Sequence, residues 1–514
     1  MPRTQTIYYG AVINPQSLTA YQALPHCLLA VGPIGTIDWI VDDVQEYELQ
    51  DALAAKGCID VDVVALRAGE FLMPGFVDTH THAPQSPNIG SGQQYELLDW
   101  LNHVTFPMEA KFADVEFARH TYESVVRRSL DSGTTTCCYY GTLHLEATKI
   151  LADIVHARGQ RAFIGKCNMD RNCPDHYIEP SAESSIADTL SLISHIRTLS
   201  GTAAPSSPPT SPTSPPPLVH PILTPRFAIS CTPKLLSSLG ALASSDPTLH
   251  IQTHISENLS EIAFTHTLFP SLPHYAAVYE SFGLLRNNTV LAHAVHLSPP
   301  EIELIAKAGA GISHCPTSNF NLSSGVAPVG VYLDAGLKVG LGTDVSGGFS
   351  PSILVAVQHA SIASKVYAVQ HAQRKRDKEA KAKEVDDDGI EIPAITPIPT
   401  PAPAPPPTCT PPTFTNRQLP VPTLLHLATL GGASVCALDH AIGSFAVGKS
   451  FDALLVNTRN DAGNPALWSP DHDPALGRER LEGLVERFLF CGDDRNVERV
   501  WVAGVCVGGT AWRG

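Results

Sequence analysis

The segment Asp78-Thr79-His80-Thr81-His82 sets two imidazoles two residues apart. Side chains alternate along a β-strand, so His80 and His82 project the same way if this segment is extended. Two imidazoles on one side form a bidentate seat for a borderline metal such as zinc. Taken alone, the pair also reads as two histidines flanking a turn. Three other runs give it company: LHIQTHISE carries His254 and Glu257, VLAHAVH carries His293, and VGLGTD ends in Asp344. Each has an ordinary reading by itself, as a half-buried histidine or as the N-cap of the next helix. Together they form a set of metal-binding side chains at the ends of several apolar runs, which is how a barrel enzyme assembles its site.

The elements that must position them follow from the apolar pattern. Candidate strands are residues 75–80, 134–139, 161–167, 222–229, 249–254, 289–293, 310–314 and 338–344. Stretches of helical periodicity, such as 145–157 and 300–308, lie between them. Eight strands with intervening helices predict an α/β protein with a (β/α)8 TIM-type barrel over residues 72–439. An open doubly wound sheet is the alternative, but no GxGxxG follows the first strand. The two ends read differently. Residues 4–15, 26–41 and 61–72 look like strands, as do 443–457 and 497–508. They predict a discontinuous β-sandwich domain built from residues 1–71 and 440–514. Two stretches break the globular texture: 201–217, a low-complexity proline-rich run, and 374–412, where mixed charges lead into a second proline-rich tract. Both read as insertions within the barrel. The charged half can extend a helix, and the proline half favours polyproline II or disorder.

Composition narrows the partners. Lys plus Arg is 34 against 50 for Asp plus Glu, a formal charge of −16. That balance lacks the basic footprint of a nucleic-acid or anionic-membrane binder and suits a neutral small molecule. No apolar run approaches the roughly 18 residues of a membrane span, and the first residues show no signal-peptide core. Scattered cysteines without a CxxC pair predict free thiols and a cytoplasmic protein, even for the disulfide-like CNMDRNC at 167–173.

SHCPTSN resembles a motif of the amidohydrolase superfamily, and LMPGFVDTHTHAPQSPNIGSG, LLDWLNHVTFPMEAKF, ILTPRFAISC, THISEN, LGTDVSGG and FLFCGDDRNVERVWVAG resemble those of its guanine deaminases. The likeness runs nearly end to end, interrupted mainly by the two insertions. It implies one zinc ion per subunit, held by His80, His82, His254 and Asp344. Where two-metal relatives have a lysine at the end of the fourth strand, this chain reads Thr224-Pro225-Arg226-Phe227, which fits a single metal. Iron and manganese are the alternatives that the donor types allow.

The resemblance further implies hydrolysis of guanine to xanthine and ammonia in purine catabolism. A zinc-activated water attacks C2, Asp344 serves as ligand and base, and Glu257 shuttles protons to the ring nitrogen. Such a carboxyl must exchange protons near pH 7, which a desolvated pocket favours. Its ordinary alternative is a helix cap, since Ser256-Glu257-Asn258 can open a helix. His293 belongs to the site with its role open. Substrate contacts fall on His82, Ala83, Pro84, Gln85, Arg226, Phe227, His254 and Asp344. Arg226 suits O6 and N7 as arginine does in DNA, Gln85 offers a donor and an acceptor, and Phe227 suits the base face. Trp100 and Phe106 either close the pocket or pack in the core. The family resemblance implies a homodimer. Two competing readings remain: another amino-heterocycle deaminase or chlorohydrolase of the superfamily, and a barrel scaffold whose chemistry has lapsed.

Overall fold

Eight parallel strands follow one another around an axis: Phe76–His82, Thr134–Tyr140, Arg161–Gly165, Val219–Pro225, His250–Ile255, Thr289–His293, Gly311–His314 and Lys338–Leu341. The computed structural model of the chain describes residues 4–59, 61–199, 217–387, 413–467 and 477–513. Sheet order equals chain order from the first strand to the eighth, so consecutive strands are neighbours. The two end strands meet at the top, where Asp344 N–H donates to His80 O (2.9 Å) and His82 N–H to Val345 O (3.2 Å). The first three strands are buried along their whole length, as strands covered on both faces must be. The predicted barrel is the fold.

Three strands end earlier than their apolar runs suggest; the third stops at Gly165, and Cys167–Asn168 pairs apart from it. The fourth stops at Pro225, and Arg226-Phe227 lead into a 3-10 turn at Ala228–Ser230. The eighth stops at Leu341, and Asp344 has φ +44°, a left-handed conformation that cannot continue a strand. The helices obey their local signals. Leu145–Arg158 ends at Gly159 with φ +71°, and Ser298 and Glu301 form a capping box on Pro299–Ala308.

The terminal segments build a separate mixed sheet. Its N-terminal strands are Thr6–Pro15, Tyr21–Val31, Ile37–Val41, Val63–Ala65 and Glu70–Pro74. Its C-terminal strands are Ala453–Asn457, Val497–Val502 and Val505–Gly508. The two parts join where Glu70–Pro74 pairs antiparallel with Ala453–Asn457. The runs 26–41 and 497–508 each fold into a hairpin rather than a single strand.

A helix that sequence reading passed over, Arg478–Cys491, seats Phe488 against Phe71 and Phe76. It thereby ties this sheet to the base of the barrel. A buried ion pair does the same, with Arg161 Nε 2.8 Å from Asp452 Oδ2.

The charged part of the second insertion continues a helix, Ile353–Asp387. The first proline-rich run up to residue 216, and the second from 388 to 412, lie outside the described residues. The cysteines among the described residues are free thiols, Cys167 and Cys173 included. No described helix is long and apolar enough to cross a membrane.

Candidate active site

At the C-terminal mouth of the barrel, His80 and His82 end the first strand, His254 lies on the fifth and His293 ends the sixth. Asp344 follows the eighth. Asp78 fixes how these ends meet. Its carboxylate accepts from Thr343 Oγ1 (2.6 Å), from Thr343 N (3.1 Å) and from His80 N (3.2 Å). One buried side chain thus clips the first strand to the loop that presents Asp344.

His80, His82, His254 and Asp344 are all buried, and their ligand atoms lie within 4.8 Å of one another. Asp344 Oδ1 is 3.1 Å from His80 Nε2 and 3.5 Å from His82 Nε2, and the Nε2 atoms of His82 and His254 are 3.2 Å apart. Zinc bonds of about 2.0–2.1 Å in a tetrahedron give ligand–ligand edges of about 3.3 Å, so the spacing is that of one coordination sphere. Protonation agrees. Burial lowers the pKa of all three imidazoles, with their mutual repulsion adding at His82 and His254, and keeps them neutral. His254 Nδ1–H donates to Arg226 O (2.6 Å), which leaves its Nε2 lone pair facing the cluster. His80 Nδ1 is buried with no hydrogen-bond partner among the described residues. Burial would raise Asp344, but His80's hydrogen bond and the electrostatic pull of the neighbouring His293, His80 and His82 rings hold it well below the usual carboxylate range. Three neutral imidazoles and one carboxylate are the donor set a borderline dication takes.

Glu257 is not a helix cap. Asn258 caps Leu259–Leu268, and Glu261 closes the box by accepting from the N–H groups of Asn258 (3.2 Å) and Glu257 (2.8 Å). The Glu257 side chain is thereby left for the site. Its Oε1 accepts from Ser324 Oγ (3.1 Å), and its Oε2 lies 3.4 Å from His293 Nε2. Burial lifts its pKa to about 7, His293 pulling down and Asp344 and Glu261 adding to the rise. His293 has φ +70°, pairs through Nδ1 with the Asn319 amide (3.0 Å), and turns Nε2 toward Asp344 Oδ2 (3.7 Å) as well. Burial opposes its protonation, but the Glu257 and Asp344 charges raise its pKa.

These groups open into a cleft whose empty space, open solvent included, is about 390 Å³. His82, Gln85, Arg226, Phe227, His254, Glu257, His293 and Asp344 all line it. Ala83 and Pro84 lie in the buried turn directly after the first strand. Trp100 lines the cavity with Leu97 and Leu101, whereas Phe106 supports it from behind, its ring 5.2 Å from the Arg226 guanidinium carbon.

Sequence reading missed the partners of these groups. Arg226 is paired with Glu109, Nη1 to Oε2 at 2.7 Å and Nη2 to Oε1 at 3.0 Å. Tyr177 OH and Gln85 Nε2 donate to the same carboxylate, at 2.6 and 2.8 Å. Gln85 Oε1 in turn accepts from Ser346 N (3.1 Å). The signals for Glu109 were its place as a lone acidic residue in the stretch Phe106-Pro107-Met108-Glu109-Ala110 and in the motif LLDWLNHVTFPMEAKF.

A family model described as the amidohydrolase family matches residues 71–383 and 414–507. The chain is 38% identical over 503 residues to guanine deaminase of Dictyostelium discoideum, covering 97% of each. It is 35% identical over 504 residues to guanine deaminase of Homo sapiens, covering 98% of this chain and 97% of that one. Among solved structures it is similar to guanine deaminase from C. acetobutylicum with guanine bound in the active site. There the TM-score is 0.76 at 30% identity, covering 98% of this chain and all of that one.

Proposed function

Because the chain belongs to the amidohydrolase family, on the branch of the guanine deaminases, we propose that it hydrolyses guanine to xanthine and ammonia with one zinc ion per subunit. The observation that carries this reading is a single cavity lined by three of the four clustered ligands, His82, His254 and Asp344, together with Glu257, Arg226 and Gln85. His80, His82, His254 and Asp344 would hold the ion. Bound there, zinc supplies a water whose pKa is lowered toward about 7.

Guanine is neutral and flat, with acceptors at O6 and N7. Arg226 donates toward that edge, Gln85 contributes the amide hydrogen that Glu109 leaves free, and Phe227 packs against the base. This seats C2, the carbon bearing the amine, toward the cluster. His82, Ala83, Pro84 and His254 complete the walls around it. Water adds at C2, and Asp344 accepts its proton. Glu257 gives its proton to the ring nitrogen and then passes the hydroxyl proton of the C2 adduct to the departing amine; the proton held by Asp344 restores Glu257, so guanine and water become xanthine and ammonia. A carboxyl with a pKa of about 7 can do both, being comparably populated in either form at neutral pH. His293, between Glu257 and Asp344, steadies both carboxylates during the transfer.

The same reading makes the protein a cytoplasmic homodimer in purine catabolism. It also assigns residues 1–71 and 440–514 to one domain and 72–439 to the barrel domain. The test is absorbance of metal-replete protein with guanine, following xanthine and ammonia, beside Arg226→Ala. Consumption of guanine that collapses in the variant supports the reading. Guanine left intact by zinc-loaded protein refutes it and turns attention to other amino-heterocycles.

A further inference from the structure

Arg226 and Gln85 come from opposite sides of the barrel mouth, one after the fourth strand and one after the first. Glu109 joins them. It is fully buried, and four donors from three side chains converge on its two oxygens: both Arg226 Nη atoms, Tyr177 OH and Gln85 Nε2. A guanidinium has five N–H donors in a rigid plane, which form two forked edges and one lone hydrogen. Glu109 takes the end-on fork between Nη1 and Nη2. The remaining Nη1 hydrogen faces Cys167 Sγ at 4.0 Å. What is left is the sideways fork of Nε and Nη2. Gln85 is fixed by the same contact, because one amide hydrogen goes to Glu109 while its oxygen accepts from Ser346 N. The amide is thus held in a single orientation.

We infer that Glu109 is a positioning residue for substrate selection: it occupies the end-on edge of Arg226, aims the sideways fork at O6 and N7 of the purine, and sets the Gln85 amide with the same carboxylate. The inference rests on guanine being the substrate. It adds that selectivity for a 6-oxopurine is built on a residue that does not touch the base. Glu109→Gln keeps the shape but replaces one acceptor with an NH2 group facing Arg226 and Tyr177, so the fork loses its fixed direction. A purine that lacks O6, such as 2-aminopurine, makes less use of that fork and should suffer less.

The experiment measures kcat and KM for guanine and for 2-aminopurine, with zinc-loaded wild type, Glu109→Gln and Glu109→Asp, each checked for its thermal transition. Glu109→Gln should raise KM for guanine more than it lowers kcat. The guanine to 2-aminopurine ratio of kcat/KM should fall by roughly 10- to 100-fold, the worth of a bidentate pair. Glu109→Asp, which restores the charge, should recover part of the ratio. A role in folding alone lowers both substrates alike, so an unchanged ratio overturns the inference. Should Glu109→Gln fail to fold, Tyr177→Phe strips one hydrogen bond from the same carboxylate and spares the ion pair. Its ratio should fall by roughly two- to five-fold, and no fall there is equally decisive. Wild type that ignores guanine overturns the functional reading, and the clamp with it. Wild type active on guanine with ratios unmoved overturns the clamp alone.

Discussion

Replacing Glu257 by Gln should make the protein less active and more stable at once. The amide is isosteric, its oxygen can still accept from Ser324 Oγ, and no metal ligand is touched. Loss of a general acid–base group costs roughly 10²–10⁴ in rate, so kcat for guanine should fall by that factor with zinc content unchanged. Stability moves the other way. Burial lifts the carboxyl from its ordinary 4.5 to about 7, so ionisation is less favourable in the folded chain than in the unfolded one. For a raised carboxyl the penalty is absent below pH 4.5, grows between 4.5 and about 7, and is constant above. Linkage over that interval gives about 1 kcal/mol at pH 5.5 and about 3 kcal/mol at pH 8 as the ceiling for a metal-free protein. Denaturant unfolding of chelator-treated wild type and Glu257→Gln at the two pH values measures the difference. The variant should gain stability, and gain more at pH 8. Equal stability at both pH values, or more than a tenth of wild-type activity, would refute the assignment of Glu257 as a buried proton carrier.

Three further perturbations separate the parts of the site. Ser324→Ala removes a hydrogen bond that favours the charged form of Glu257, so the alkaline limb of kcat/KM should move up by about half a pH unit to one unit. A limb that stays in place means that another group titrates there. Thr343→Val removes the hydroxyl that Asp78 accepts, loosening the clip between the first strand and Asp344; competition with a chromogenic chelator should show zinc affinity roughly 10–100-fold weaker. Arg161→Ala leaves Asp452 buried and unpaired at the base of the barrel. Unfolding free energy should drop by about 3–5 kcal/mol, while KM for guanine is unchanged in protein that remains folded.

What the sequence made legible is what strand geometry determines locally. His80 and His82 share a face because the strand repeat is two residues. His254, His293 and Asp344 were recognisable because each closes an apolar run short enough to be a barrel strand. The partners of these groups were not legible, because they depend on which loops meet in space. Glu109 and Arg226 are far apart in the chain, and nothing in their local sequence records that they pair. Glu257 was ambiguous for a different reason: Asn258 and Glu261, its neighbours, take the capping role that Glu257 itself could have filled. The helix Arg478–Cys491 could have been found, since Leu481, Leu484, Val485, Phe488 and Leu489 recur at helical spacing. Its position between β segments of the terminal sheet masked it.

Charge balance explains why Arg226 needs Glu109 at all. A guanidinium and a dication in one buried cavity repel strongly, and a low dielectric magnifies the repulsion. Without an acid beside it, Arg226 would weaken the metal it shares the pocket with. Glu109 cancels that charge in place, and the bidentate geometry does so without using the fork turned to the substrate. The metal side is then governed by Asp344, held ionised among the histidines, and by Glu257, poised near neutrality. At rest one carboxylate is an anion and the other stands near neutrality, and the difference comes from their neighbours: three imidazoles around the first, two further carboxylates and a single histidine around the second. A neutral purine entering this cavity meets a guanidinium whose charge Glu109 already offsets. Binding can therefore be selective through hydrogen-bond direction, while the proton delivered to the ring is carried by the group whose surroundings hold it near neutrality.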